Sequence, residues 1–196
     1  MKKKLLCLLS LMAALTGCAV SVERPTTYTL KELPAKHISY RTGKILLVFP
    51  PEVVHYYRST QIAYETKPYL IDYFTRNIWG ATPSQMIQPL LVQSLQDTRH
   101  YLAVVTPPVS GYYHYALNTE VLALFVNYYH QPATFDIKLR AQLFNANSNK
   151  AIATKDIYIS EPIRGCNNFY SKIIAANHAM ARALRRVSQF SVKVIK

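Results

Sequence analysis

The 196-residue chain carries only five glycines, three cysteines, one tryptophan and ten acidic residues. With so little glycine there is no Gly-rich phosphate cradle and no Gly-x-Ser-x-Gly elbow, so the common nucleotide-binding and hydrolase motifs are missing. There is no Cys-x-x-Cys and no His-x-x-x-His pair. His55, His114, His130 and His178 lie in unrelated segments and read as packing or surface residues, which predicts no metal site. The acidic residues are scattered, and none pairs with another as general acid and base. These absences point away from an enzyme and away from a bound cofactor. Against ten acids stand twenty-three lysines and arginines, a formal charge of +13. That excess suits anionic surroundings such as lipid headgroups or an acidic partner, and equally a generally basic proteome. Half the chain is hydrophobic and 17% is charged, a globular balance and not a disordered one.

Long apolar runs are also wanting, since none reaches the roughly twenty residues a membrane-spanning helix requires. The uncharged run Leu5 to Leu15 follows Lys2, Lys3 and Lys4 and ends at Thr16-Gly17-Cys18, the three-part layout of a secretory signal. Leu15-Thr16-Gly17-Cys18 resembles the lipobox of bacterial lipoproteins. Residues 1–17 are therefore expected to be cut away between Gly17 and Cys18. Cys18 would carry a covalent diacylglycerol and an N-acyl chain, and residues 18–25 would form a lipidated tether. Two or three acyl chains, at about 0.8 kcal/mol per buried methylene, make a stable anchor. The competing readings are a short buried N-terminal helix and cleavage before Ala19 without lipidation. By resemblance to enterobacterial lipoproteins, Ala19 in place of Asp leans toward the outer membrane. A secreted, lipid-anchored chain rarely meets nucleic acid, so that partner class is set aside. With Cys7 in the signal and Cys18 acylated, Cys166 has no disulfide partner and is expected to be buried, or else to link to another chain.

Residues 26–196 have the size of one domain. Short strands are expected at Tyr28 to Leu30, Lys44 to Phe49 and Tyr101 to Val105. The last two are apolar on both faces and read as central strands. Between them, Ile62 to Trp79 is aromatic and reads as a hairpin. Phe135, Ile137, Leu139, Ala141 and Leu143 alternate with Asp136, Lys138, Arg140 and Gln142, giving one buried and one wet face. Tyr113 to Tyr128 before it and Ala151 to Ser160 after it complete an antiparallel meander. Thr82 and Gln85 form a capping box for a first helix, with Pro83 at its first position and Pro89 predicting a kink or restart. A second helix is expected from Asn168 to about Val187, with Asn177 in its apolar face bonded to a neighbouring loop. The order predicts an α+β fold, a mixed and largely antiparallel sheet with two main helices packed on one side.

Fifteen tyrosines, several in pairs, suit an interaction surface, although β-sheet propensity accounts for them nearly as well. Tyr64, Tyr69, Tyr73 and Trp79 are the large anchors of the aromatic stretch. They are the candidate partner or oligomer interface, with core packing the equal alternative. Lys44-Ile-Leu-Leu-Val-Phe-Pro-Pro, Tyr57 to Tyr64, Pro68-Tyr69 through Tyr73-Phe74, Asn77-Ile78-Trp79, Pro83 to Leu95, Val105-Thr-Pro-Pro-Val and Ala175-Ala176-Asn177 together resemble the ABC-type transport auxiliary lipoproteins, the PqiC-like family. The resemblance implies a non-enzymatic accessory role in intermembrane lipid transport. It also implies a partner set of an MCE-domain (mammalian cell entry) periplasmic protein with its inner-membrane permease and ATPase. Because MCE proteins assemble into rings, a homo-oligomer anchored to membrane lipid is expected too. The alternative is a structural or regulatory envelope lipoprotein that binds another periplasmic partner, and a monomeric lipid carrier with an internal cavity comes third.

The anchor is checked by metabolic labelling with a palmitate analogue. The wild type should be marked, and Cys18→Ser should lose the label and either stay uncleaved or turn up soluble. Equal labelling of the two would show that Cys18 is not the attachment point.

Overall fold

The structure, a computed structural model, describes residues 23–31, 41–165 and 168–195. Gly17, Cys18 and Cys166 lie outside the described residues. Among the described residues nine strands form one sheet: β1 (Thr26–Tyr28), β2 (Ile45–Val48), β3 (Glu52–Val53), β4 (Gln61–Lys67), β5 (Leu70–Trp79), β6 (Ala103–Val105), β7 (Tyr115–Asn127), β8 (Thr134–Asn145) and β9 (Lys150–Pro162). Two helices, α1 (Pro83–Gln96) and α2 (Phe169–Val194), pack on one side of it. The fold is α+β.

The long strand β7 organises the sheet. Along one edge it pairs antiparallel with β8 from Tyr115 opposite Asn145 to Asn127 opposite Thr134. Along its other edge three short strands follow one another in parallel. β2 lies beside Tyr115–Leu117, β3 beside Glu120–Val121 and β4 beside Phe125–Asn127. The interruption after β2 falls at Pro50-Pro51, where the backbone has no N–H to give to a ladder. Phe49 N–H still donates to Leu117 O (3.1 Å) and Val54 N–H to Val121 O (3.1 Å), so the segment keeps its alignment through the break. The second apolar run begins later than expected, at Ala103. It pairs only with β2 and lies at the sheet edge, where α1 covers it, so its apolar character reflects helix packing and not a central position.

The meander matches its alternating pattern. Phe135, Ile137, Leu139, Ala141 and Leu143 of β8 are fully buried. Over them and over β9 lies α2, whose Ile173, Ala176, Met180, Ala183, Leu184 and Val187 recur at helical spacing. The alanines in that stripe bring the helix axis close to the sheet. Asn168 caps α2 by accepting from Ser171 N–H at 3.0 Å. The helix runs seven residues past its expected end at Val187, because Ser188 and Ser191, polar in sequence, are buried contacts: Ser94 and Ser188 hydroxyls meet at 2.7 Å, and Tyr101 and Ser191 at 2.6 Å. In α1 the Gln85 side-chain oxygen accepts from both Thr82 N–H (3.2 Å) and Thr82 Oγ1 (3.0 Å), closing the start of the helix. The helix then continues as one element through Pro89, whose ring is exposed, with no restart. β1 covers Thr26–Tyr28, two residues earlier than expected, because Thr26 and Thr27 pair with β5 while Leu30 turns into the core. Asn177 Oδ1 accepts from Lys31 N–H at 2.7 Å, the bond to a neighbouring segment that its place on an apolar face called for.

The other face of the meander is polar. Arg140 holds Asp156 in a two-pronged pair, Nε to Oδ1 at 2.8 Å and Nη2 to Oδ2 at 3.0 Å, with Glu120 3.8 Å away on the opposite strand. The guanidinium keeps the Asp156 carboxyl below the usual carboxylate range. Asp136 belongs to the same wet face by alternation, yet it is buried. Its two oxygens accept from Thr134, Ser160, Asn127 and Tyr158 at 2.6 to 3.0 Å. A buried carboxylate held by four donors is satisfied without an ion pair, and removing it leaves four donors short of an acceptor. Asp136→Ala should therefore lower unfolding stability in urea by about 3 kcal/mol, whereas Asp156→Ala, whose pair is exposed, should leave the urea midpoint nearly unchanged.

Candidate functional site

The aromatic stretch folds as the β4–β5 hairpin, in register from Ala63 opposite Tyr73 to Glu65 opposite Ile71, with a register shift before Lys67 opposite Leu70. Its four candidate anchors separate by environment. Trp79 is 2% exposed, edge-on to Phe135 at 6.3 Å, and sits in the core with no surface to offer a partner. Tyr73 is half-buried, and its hydroxyl donates to Tyr56 O at 3.0 Å, which ties the hairpin to the 3-10 turn His55–Tyr57. Tyr64 is half-buried against Phe74 (4.6 Å) and Tyr128 (5.9 Å) and donates to Asp72 Oδ2 at 2.9 Å, a bond to a carboxylate that raises its pKa. Tyr69 stands wholly in solvent, at 103% exposure.

The hairpin is an inner member of the sheet and not its edge as far as β4 is concerned, since β4 pairs with β7 on one side and β5 on the other. β5 is covered by β1 only at Asn77–Trp79. Leu70–Arg76 therefore forms the true edge.

Behind the hairpin lies a cluster that local sequence reading passes over. Phe169, the first residue of α2, meets Tyr28 of β1 at 5.2 Å and Phe74 of β5 at 4.8 Å. Lys172, one turn on, is buried, with Nζ 5.9 Å from the Tyr128 ring centre and 5.8 Å from that of Phe169. The ring faces offer this cation a partial replacement for water, and burial still pushes its pKa below the ordinary lysine value. The cluster fastens β1, the hairpin, the end of β7 and the start of α2 to one another. Only the Asn168 cap signals it in sequence, and nothing local marks Lys172. Beside it an open groove of about 520 Å³ runs between β1 and α2, lined by Thr27, Tyr28, Lys31, Tyr170, Ile174 and His178 among others.

The histidines are dispersed. His114 Nδ1 accepts from Ile45 N–H at 3.0 Å at the start of β2, and His55 and His130 are exposed on separate turns. His178 approaches Glu161 at 4.0 Å. His100, which the sequence reading did not single out, is buried and donates from Nε2 to Ile195 O at 2.7 Å, pinning the end of α2. Among the described residues no group of three or more His, Cys, Asp or Glu side chains could hold a metal ion. Nor is any helix there long and apolar enough to cross a membrane.

Trp79→Ala should lower stability by about 3–5 kcal/mol through an unfilled core cavity. Tyr69→Ala should leave the thermal midpoint within about 2 °C of wild type while reducing any association that uses the tip. A large loss of stability in Tyr69→Ala would place that residue in the core after all. Thermal unfolding read by circular dichroism makes the comparison.

Solved structures share this fold. A protein from Xanthomonas campestris superimposes with a TM-score of 0.79 at 16% identity, covering 86% of this chain and 95% of its own. An uncharacterised protein follows at 0.69 and 15%, over 86% and 99%. A hypothetical protein from Chlamydia trachomatis gives 0.55 at 11%, over 78% and 98%. At such identities the likeness speaks for the fold alone. No curated protein matches the chain in sequence. A family model described as the ABC-type transport auxiliary lipoprotein component matches residues 28–190.

Proposed function

The chain belongs to the family of ABC-type transport auxiliary lipoprotein components, and on that premise we propose that it is the outer-membrane-anchored periplasmic accessory of an MCE/ABC-type intermembrane lipid transport system. The observation that carries this reading is the spacing between anchor and domain. Seven residues separate the lipobox-like Leu15 to Cys18 from Thr26, the first residue of β1, and the family match starts at Tyr28. A domain on so short a leash works at the face of one leaflet. Ala19 in place of Asp favours the outer membrane, and the basic surface suits contact with anionic headgroups or an acidic partner.

An accessory role fits the chemistry better than carriage or catalysis. The space between sheet and helices is filled by β8 and α2 side chains, which leaves the described core packed and favours docking over holding a lipid inside one copy. The family is one of transport auxiliaries and not of enzymes. Asp136 with its four donors and His100 with Ile195 are buried polar groups occupied structurally. Because MCE proteins form rings, a closed ring of copies with all lipid tails on one side would multiply each weak contact.

The test is affinity purification of the full lipidated protein from detergent-solubilised membranes after mild crosslinking. An MCE-domain protein should be recovered together with its permease and ATPase. Recovery of a peptidoglycan synthase in their place would favour the structural or regulatory alternative and overturn the transport reading.

A further inference from the structure

β1 runs parallel to β5, with Thr26 beside Asn77 and Tyr28 beside Trp79. The chain before Thr26 therefore heads back along β5 toward its start at Leu70, the tip of the hairpin. Glu23 keeps to that course, with its carboxylate 3.4 Å from Arg76. From Glu23 to Cys18 the chain can span at most ~17 Å. Through β4, the level of Arg76 corresponds to about Leu124 of β7. Leu70 is six residues away on β5, about 20 Å, whereas Tyr115 at the other end of β7 is nine residues away, about 30 Å. A reach of ~17 Å covers most of the ~20 Å to the hairpin-tip end and little more than half of the ~30 Å to the opposite one.

Three connections emerge at that end. β4 places Glu65 beside Asn127, so the β7–β8 connection lies next to the hairpin tip. Pro162 stands opposite Thr134, which brings in the chain from β9 to α2. The first two carry exposed aromatic or apolar side chains, Tyr69 with Leu70 at 50% and Tyr129 at 45%, and the third leads into Tyr170, exposed at 61% in the first turn of α2. Lys67 and Arg164 are exposed among them. Of the nearby carboxylates, Asp72 is engaged by the Tyr64 hydroxyl and Glu161 by Arg182, and Glu65 is half-buried. The tip itself is strained for the sake of its side chain. Lys67 pairs with Leu70 across Pro68-Tyr69, and Tyr69 has φ 68°, where a turn of this kind favours glycine or asparagine. A bulky aromatic kept in that conformation, fully in solvent, gives nothing to the packing of the domain.

We propose that this end of the domain is a membrane-contacting surface: Tyr69 and Leu70, with Tyr129 and Tyr170, sit in the headgroup region of the leaflet that holds the Cys18 lipid, and Lys67 and Arg164 face its phosphates. Tyrosine suits that zone because its ring is apolar and its hydroxyl stays wet. Exposed cations beside it are attracted to an anionic leaflet. The lipid anchor supplies the high local concentration that makes a few shallow contacts sufficient. The inference rests on the anchor in the preceding reading and adds an orientation to it: the sheet stands on the membrane by its hairpin tip, and the β8–β9 turn points away.

The experiment uses the mature lipidated protein in a Cys166→Ser background, reconstituted into phosphatidylethanolamine vesicles containing phosphatidylglycerol. An environment-sensitive fluorophore is attached at Lys67→Cys, His130→Cys or Asn147→Cys, substitutions that leave the tyrosines in place. Labels at 67 and 130 should shift to the blue and lose emission to spin-labelled lipid, and the label at 147 should do neither. Replacing Tyr69 by Gly and Tyr129 by Ser together should reduce the quenching at 67 while the protein still floats with the vesicles. Co-flotation with unquenched labels at 67 and 130, or equal quenching at all three positions, overturns the orientation and leaves the anchor standing. Failure to co-float overturns the anchor, and the inference falls with it.

Discussion

The pairing of β7 along both of its edges is the constraint from which the rest of the structure follows. Its antiparallel partner β8 is the next strand in the chain, so that edge forms locally. The opposite edge is filled by β2, β3 and β4, segments of four, two and seven residues that lie far earlier in sequence. None of them could hold a ladder alone, because strands so short bury too little to offset the ordering of their backbone. Each gains its place by using a different stretch of β7. The order along β7 is the order along the chain, so a single parallel track carries the polypeptide from Ile45 to Glu65, and its only breaks are Pro50-Pro51 and the 3-10 turn.

That track decides where chemistry-bearing residues emerge. Because β4 is parallel to β7 and β9 to the same direction through β8, the far ends of all three point one way, and the start of β5 turns back from the same place. The aromatic cluster then locks this end. Tyr28, Tyr64, Phe74, Tyr128 and Phe169 come from five separate segments, and the buried Lys172 lies against the rings of Tyr128 and Phe169 and donates to Asn168 O. A rigid base of this kind beneath an exposed tip is what a docking element needs, since a mobile base would lose ordering entropy on every contact.

Legibility in the sequence followed the range of the interactions. The meander could be read because alternation along β8 is local and one face is wet, and the capping residues Thr82 and Asn168 marked both helix starts for the same reason. What escaped depended on distant partners. Nothing within Glu52-Val53 announces a strand, because its ladder is supplied by Glu120–Val121. Ser188 and Ser191 look like the polar end of a helix until Ser94 and Tyr101 are placed against them. Asp136 keeps the alternation and still ends up buried, because Tyr158 and Ser160 of the neighbouring strand close over it. Among the candidate anchors, the sequence grouped Trp79 with Tyr69 because both are aromatic and close together. Only the sheet places the first against Phe135 and the second at a turn.

The same accounting of partners explains how a chain with so few acids acquires a polarised surface. Asp136 is consumed by four neutral donors, Asp156 by Arg140, Glu161 by Arg182 and Glu23 by Arg76. Glu65 is half-buried, and its pKa is raised by that burial. Acids committed to internal pairs hold elements together and contribute little field of their own beyond the pair. Of these acids only Asp136 is buried, while the Asp156 and Glu23 pairs stand exposed. The excess cations remain at the surface, where Lys67, Arg164 and Arg185 are exposed and Arg186 donates to Tyr158 O at 3.2 Å. They give the domain an attraction toward anionic surfaces that extends about a Debye length, near 8 Å at physiological salt. Attraction of that range is too short to recruit a distant partner and acts on surfaces that the domain already adjoins.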